Sequence, residues 1–402
     1  MKRFGWLLVL LMAASPAWAN KKVTVQELKD LLVSLQQAKK SDADVAAELE
    51  QIQLTEQLTR STMNAINGLI PGPFSTEQFF VLEAASAALA PPAADIPTAP
   101  APDAATQKAI LDKAVEYVTK SYAQLPHLTG TKNTFRFQDN MTTDQTATDT
   151  AKAAPPKVDP WYVVHFFGAV ETPLDFANGG EVVTVTKEKL QDHSGQINVL
   201  SGAPVLTSVL ADAQAAGPIS WLRWENVNGT QAAVFSFAVD KKKTHYGIQY
   251  CCFSATPIGG AEAMSRGNYG SRGGVSVDST TSTASISGMG AAFPNAMPRL
   301  PGTDWRNFKA SVPYHGELFV DPATGVVLRL VTVAEFRPAD LVQLENQRID
   351  YSPVQVEGKT LILPFKSIVA TEEVPNGYAG YGKHPVRHTL FTIDYKDYKP
   401  AK

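Results

Sequence analysis

The sequence predicts an α+β protein: a small N-terminal helical module, then one large, curved antiparallel β-sheet wrapped over a helix or an internal cavity. Three observations carry this reading. Apolar residues recur at helical spacing up to Tyr122 and at strand spacing from Thr131 onward. Residues 312–369 read as strand, turn, strand, connection, strand, turn, strand. Between the helical stretches lies a proline- and alanine-rich segment, residues 90–105 (APPAADIPTAPAPDAA), which reads as a semi-rigid extended linker and the best domain boundary.

Residues 1–19 carry Lys2 and Arg3, an apolar run from Phe4 to Met12 and the small-residue end Ala17-Trp18-Ala19. This is the pattern of a secretory signal peptide cut between Ala19 and Asn20. The apolar run is about half the roughly 20 residues that a spanning helix needs. No later segment is long and apolar enough to span a bilayer, and no cysteine follows the run to take a lipid anchor. The mature chain is therefore expected to be exported, periplasmic or extracellular, with no transmembrane segment.

The chain has 402 residues, a formal net charge of -3 and two cysteines. That length suffices for two domains with cores of their own, and that charge gives no reason to expect nucleic acid. The densest basic cluster, Lys241-Lys242-Lys243, lies between two strand-like runs and reads as a solvated hairpin tip. Cys251 and Cys252 are adjacent. Neighbouring Cα atoms sit about 3.8 Å apart, below the roughly 4.4–6.8 Å of ordinary disulfides, and in a regular strand the two side chains point to opposite faces. Packed thiols, a strained vicinal disulfide favoured by an oxidising compartment, and a redox or metal site all remain open.

The helical module spans residues 20–89. Thr24 and Glu27 form a capping-box pattern ahead of Leu28, Leu31, Leu32 and Leu35. A second helix is expected from Ser41 through Val45, Leu49 and Ile52. A third carries Leu58, Ala65, Ile66 and Leu69 and closes at Pro71-Gly72-Pro73. Ser75 with Gln78 is read as the cap of a fourth, bearing Phe79, Leu82 and Leu89. After the linker, Ile110, Ala114, Tyr117, Val118 and Tyr122 mark a helix that ends before Pro126.

The β-domain covers residues 106–398. Strands are expected at 133–138, 161–168, 181–187, 219–225, 231–239, 245–253 and 387–395, besides the 312–369 block, with a helix at 205–215. Asp321-Pro322-Ala323-Thr324-Gly325 and Glu357-Gly358 are the hairpin turns: proline pre-sets φ, and glycine accepts φ > 0. In the first hairpin, plain alternation puts Val326, Leu328, Leu330 and Phe336 on one side and Val327, Val331 and Val333 on the other. Two polar insertions, 139–157 and 257–311, are too poor in apolar residues to repay ordering. The second reads as a disordered segment or a lid.

Catalytic signatures are missing: no H-E-x-x-H, no G-x-S-x-G and no G-x-x-x-x-G-K-[ST] occurs. His384 and His388 are four apart but Pro385 interrupts them, so they do not share a helix face. His315 and Glu317 fall on one strand face and read as a cross-strand surface pair rather than an acid/base couple. No residue is assigned a catalytic, metal-binding or cofactor-binding role, and no cofactor is expected. Trp161, Phe167, Trp221, Phe235 and Phe237, with Val327 and Val331, are expected either to pack the core or to line an apolar cavity.

A helix near Ala105, the strand KNTFRFQ, a long antiparallel sheet and an internal helix together resemble the periplasmic lipoprotein carriers and sensors of the LolA/LolB and RseB type. LFVDPATGVVLRLVTV is similar to their strand, Asp-x-x-Thr-Gly, strand element. The blocks SWLRWENVNGTQAAVFSFAV, THYGIQYCCFS and YHGELFVDPATGVVLRL also resemble a group of uncharacterised exported bacterial proteins over residues 24–398. The first resemblance implies a half-barrel whose concave face binds acyl chains or another apolar partner. The expected function is thus a non-enzymatic binding or carrier module for an apolar envelope ligand, a lipid or an acylated protein. The alternative is an envelope interaction or sensor component that uses the N-terminal helices and takes no small-molecule ligand. Oligomeric state is left open.

Overall fold

The computed structural model describes residues 21–139, 164–182, 205–254, 305–337, 340, 342–373 and 387–401. Outside them lie the expected cleavage site Ala19–Asn20, Trp161, His384, residues 183–187 of an expected strand, and nearly all of the two insertions. Cys251 and Cys252 stand in a described strand, but their side chains lie outside the described set.

The helical module contains α1 (Val25–Gln37), α2 (Asp42–Leu49), α3 (Arg60–Ile66) and α4 (Pro73–Ala85). The Thr24 capping box forms: Thr24 N donates to Glu27 Oε2 at 2.7 Å and Glu27 N to Thr24 Oγ1 at 3.2 Å. Two expectations fail here. Ile52 does not continue α2; it opens β2 (Ile52–Leu54), which pairs in parallel with β1 (Lys21–Val23), so the module is not all helical. Nor does Ser75 cap the fourth helix. Pro73, which needs no N–H partner, takes the first helical position, and Asp42 reaches across from α2 to accept from Phe74 N and Ser75 N at 3.0 and 2.9 Å. Leu28, Leu32, Leu49, Leu58, Ile66 and Phe79 form the module's core.

The second part is a sheet of ten strands, every neighbouring pair antiparallel. They are β3 (Leu128–Asp139), β4 (Val164–Ala177), β5 (Gly180–Glu181), β6 (Ser220–Val227), β7 (Thr230–Val239), β10 (Tyr314–Val320), β11 (Val327–Ala334), β12 (Val342–Val356), β13 (Lys359–Glu373) and β14 (Arg387–Pro400). Their order is β5-β4-β3-β14-β13-β12-β11-β10-β7-β6, and the two end strands are not neighbours. A separate hairpin joins β8 (Gly247–Ser254) to β9 (Trp305–Ser311). Since β7 pairs with β10 and not with β8, Lys241–Lys243 sit in a turn between two sheets rather than at a hairpin tip. The β8–β9 ladder shifts register between Tyr250 and Phe253, so a regular strand, the premise for sending the two cysteine side chains to opposite faces, is absent at that point.

Helices α5 (Ala104–Glu116) and α6 (Leu206–Ala216) cover one face of the sheet, here the inner face; α5 runs on through a π turn and a 3-10 turn to Gln124. Ile110, Ala114, Val118 and Tyr122 from the first, with Leu206, Val209, Leu210 and Ala213 from the second, meet Phe235, Phe237, Leu318, Val327, Leu330 and Tyr351 in one buried cluster. Burying such a side chain contributes about 1.5–3 kcal/mol. On the opposite, outer face, Val81, Ala84 and Ala87 of the α4 region pack on Phe137, Ile368 and Leu390. Helix α4 is therefore apolar on two sides: Phe79 and Leu82 serve the module, Val81 and Ala84 the sheet.

The linker passes from one face to the other across edge strand β6. Gln57 N donates to Ala90 O at 2.7 Å, Thr59 Oγ1 to Asp95 Oδ2 at 2.5 Å, and Trp224 Nε1 to Pro100 O at 2.9 Å. Covered in this way, β6 offers less open edge for another strand to pair with.

In the β10–β11 hairpin, Asp321 accepts from Ala323 N at 2.9 Å and from Thr324 Oγ1 at 2.7 Å, and Gly325 takes φ 77. A Cβ on Gly325 would lie 2.6 Å from the carbonyl carbon of Lys113 in α5, so the turn and the helix meet backbone to backbone. A bulge corrects the expected facing. Phe319 pairs with Arg329 but Val320 with Val327, so Leu328 is the extra residue. Val327 thereby joins Leu330 on the inner face, while Leu328 and Val331 lie on the outer one.

Candidate functional site

The residues read from sequence as core or cavity lining are not brought into one place. Phe235, Phe237 and Val327 are buried beneath α5 and α6. Val331 is on the opposite face beside Val234 and Phe319. Phe167 lies under the guanidinium of Arg136, 5.0 Å from its ring centre, with Phe391 at 5.7 Å. Trp221 packs edge-on to Trp224 and Phe235, with ring centres 4.8 and 5.7 Å apart. Trp221 and Phe235, together with Leu111 and Ile219, wall a groove of about 440 Å³ beside the start of α5. Elsewhere the helices fill the apolar inner face.

His315 and Glu317 do not act on each other. His315 Nδ1 lies 3.1 Å from Glu335 Oε1, and Glu317 binds Arg223. His388 faces Glu372 across the strands at 3.4 Å. Among the described residues no group of three or more His, Cys, Asp or Glu is placed to hold a metal ion, and no helix is long and apolar enough to cross a membrane.

The outer face carries charge that sequence reading missed. Strand neighbours on one face are two residues apart, so Arg223 with Glu225, and Arg348 with Asp350, stack along their strands, while register sets Arg329 opposite Asp350 and Glu317 opposite Val331. Asp350 accepts from Arg329 Nε at 2.5 Å and from Arg348 Nε and Nη2 at 2.9 and 2.7 Å. Glu225 accepts from Arg329 Nη1 at 3.3 Å and from Arg223 Nε and Nη2 at 3.0 and 2.6 Å. Arg223 also bridges to both oxygens of Glu317 at 2.9 and 2.8 Å. Three arginines thus meet three carboxylates. Burial pushes the Asp350 carboxyl up, but Arg329 and Arg348 outweigh it and hold it at about 2. Burial raises Glu225 above the ordinary glutamate value against the pull of Arg223 and Arg329.

This network floors a cleft of about 760 Å³ between module and sheet. Arg60, Ser61 and Asn64 of α3 form the module side; Asn226, Asn228 and Gly229, at the β6–β7 turn, form the sheet side. Asn228 and Gly229 take φ 50 and 85, the positive pair of a tight hairpin turn. The volume is within the range of small-molecule and peptide sites, but the walls are polar.

A second unanticipated group lies under α6. Buried Asp212 accepts from His245 N at 2.8 Å and from Tyr314 Oη at 3.1 Å, and His245 Nδ1 lies 2.5 Å from its other oxygen. Burial and then Asp212 push the Tyr314 hydroxyl well above its ordinary value. The exposed imidazole resembles the oriented base of a hydrolytic triad, but no Ser, Thr or Cys side chain among the described residues bonds to it. It ties α6 to the start of the β8 segment. Sequence signals for both groups existed: i, i+2 charges inside otherwise apolar strands for the network, and an acid on an apolar helix for Asp212.

No family model, no curated protein and no solved structure matches the chain.

Proposed function

We propose that this is an exported, non-enzymatic interaction component of the bacterial envelope, and that it engages a protein partner at the cleft between helical module and sheet. The observation that carries the reading is the filling of the inner face by α5 and α6, with Phe235, Phe237 and Val327 shut inside. A carrier needs that apolar surface open to its cargo. The cleft placed to receive a partner is instead the polar one on the outer face, about 760 Å³ in volume. A single antiparallel sheet with helices on its inner face supports the likeness to the LolA/LolB and RseB half-barrel, and within that likeness it favours the sensor use over the carrier use.

The carrier reading keeps one supporting observation, the groove walled by Trp221, Phe235, Leu111 and Ile219. Photo-crosslinking in cells separates the two. A benzophenone amino acid at Asn64, on the cleft wall, is expected to capture a defined protein, and one at the exposed Lys399, near the end of β14, is not. Recovery of bound lipid from the purified protein, with no protein captured from Asn64, would sink the interaction reading and favour the carrier.

A further inference from the structure

The network on the outer face spends its acceptors and keeps donors in reserve. Both oxygens of Asp350 and both of Glu225 are committed to arginine. By contrast, Arg329 Nη2 and Arg348 Nη1 make no hydrogen bond with the described residues, although the Arg329 side chain is only 7% exposed, and both residues line the cleft. Facing them from α3, Arg60 makes no ion pair among the described residues. Guanidinium groups stay charged through the whole physiological range, and a planar fork of N–H groups matches a carboxylate or a phosphate. Asp95, on the same wall, gives one oxygen to Thr59 and Thr62.

We infer that the cleft recognises a carboxylate on an acidic, extended segment of a partner protein, held between Arg60 and the open edges of Arg329 and Arg348. This rests on the interaction reading and names the chemistry of the partner. Asn64, Asn226 and Asn228 each offer a donor beside an acceptor, the pattern that pairs with a peptide unit. Among the described residues no aromatic side chain lines the cleft, so they offer a sugar ring or a base no platform to stack on. The residual negative charge of Asp95 and Glu225 in the walls penalises a doubly charged phosphate more than a singly charged carboxylate.

The test uses the full mature chain and a fluorescein-labelled Gly-Asp-Ser-Asp-Gly peptide, with fluorescence anisotropy as readout. Binding is expected, weakened at least tenfold when Asn replaces Asp in the peptide and at least tenfold in R60Q, which removes an exposed side chain and leaves the fold alone. R348K keeps a charge beside Asp350 but loses the open N–H, and should also bind more weakly at an unchanged unfolding midpoint. K399Q should bind as the parent does. Acetate is expected to compete at lower concentration than inorganic phosphate. Equal binding of the Asn peptide, full binding by R60Q, or absence of binding overturns the inference, and stronger competition by phosphate overturns the choice of carboxylate. A partner captured from Asn64 with no acidic-peptide binding would remove the chemistry and leave the interaction reading. Peptide binding without any captured partner would do the reverse.

Discussion

The two faces of the sheet solve the same problem, how to bury a ten-stranded surface, by opposite means. The inner face is continuous hydrocarbon and aromatic ring under α5 and α6, with polar contacts such as Asp212 with Tyr314 and Tyr246 with Glu345 set into it. The outer face holds only patches of apolar contact, and between them three arginines and three carboxylates are buried or half-buried under the helical module. Burial of hydrocarbon is non-directional and tolerates many solutions. Buried ion pairs gain little net stability, but they lose much when one member goes, and they leave spare hydrogen-bonding capacity where geometry is incomplete. The difference teaches where to look: the inner face is finished, and the outer face still has something to bind.

The comparison breaks most sharply with matched substitutions. Phe237→Ala on the inner face should cost about 3–5 kcal/mol by cavity formation. Asp350→Asn on the outer face should cost a similar 3–5 kcal/mol by leaving Arg329 and Arg348 buried without their counter-charge. Urea unfolding at pH 7 measures both. The acid dependence separates them: Phe237→Ala keeps the parent's pH profile, and Asp350→Asn loses its acid limb. A cost below about 1 kcal/mol for Asp350→Asn would mean that water already reaches the network.

That acid limb is the second prediction. The folded pKa of Asp350, about 2, lies below its ordinary value of 3.8. The folded state therefore binds fewer protons than the unfolded state in this window, and the stabilisation is complete above pH 4 and lost as pH falls toward 2. Its size is on the order of 2 kcal/mol. Glu225 is raised rather than lowered, so it works in the opposite sense, removing stability as pH rises above its ordinary value. Unfolding midpoints across pH 2–7 should therefore peak in the mildly acidic range, and a monotonic rise to pH 7 would contradict the seat assigned to Glu225.

The inner face was the more legible of the two. The helix marked by Ile110 to Tyr122, the helix at 205–215 and the two hairpins follow from period and turn chemistry, which are local. Val327 was misplaced because period-2 counting cannot see a bulge: one extra residue, Leu328, reverses the facing of all that precedes it. The parallel β1–β2 pair joins residues some 30 apart and leaves no local signature. The network escaped for a similar reason. Arg329 and Asp350 are neighbours only through strand register, so their chemistry belongs to the pairing, while Arg348 and Asp350 advertised themselves as i, i+2 charges in a strand.

A smaller effect tests how the inner face is closed. Gly325→Ala places a methyl where the φ is 77 and where the Lys113 backbone lies 2.6 Å away, at a cost of about 1–3 kcal/mol. The same change at Gly358, also at φ 76 but with open space around it, pays only the conformational part. The difference between the two, read from unfolding midpoints, isolates the contact between turn and α5. Equal costs would mean that the hairpin does not rest on the helix.

The smallest effect concerns the strap that joins the faces. Trp224 Nε1 donates to Pro100 O at 2.9 Å where the linker crosses the edge of β6, and Trp224→Phe deletes that donor while keeping an aromatic ring against Trp221. One hydrogen bond on an exposed edge contributes about 0.5–1.5 kcal/mol, so global stability should barely move. The local consequence is larger than the global one, because the strap is what separates edge strand β6 from solvent. Hydrogen exchange at β6 amides should quicken in Trp224→Phe while exchange at β13, in the middle of the sheet, stays as in the parent. Quickening at both strands would mean that the strap holds the two faces together rather than covering an edge. In that case the cleft beside it would open as a unit with the module, and acidic-peptide binding would fall in the same variant.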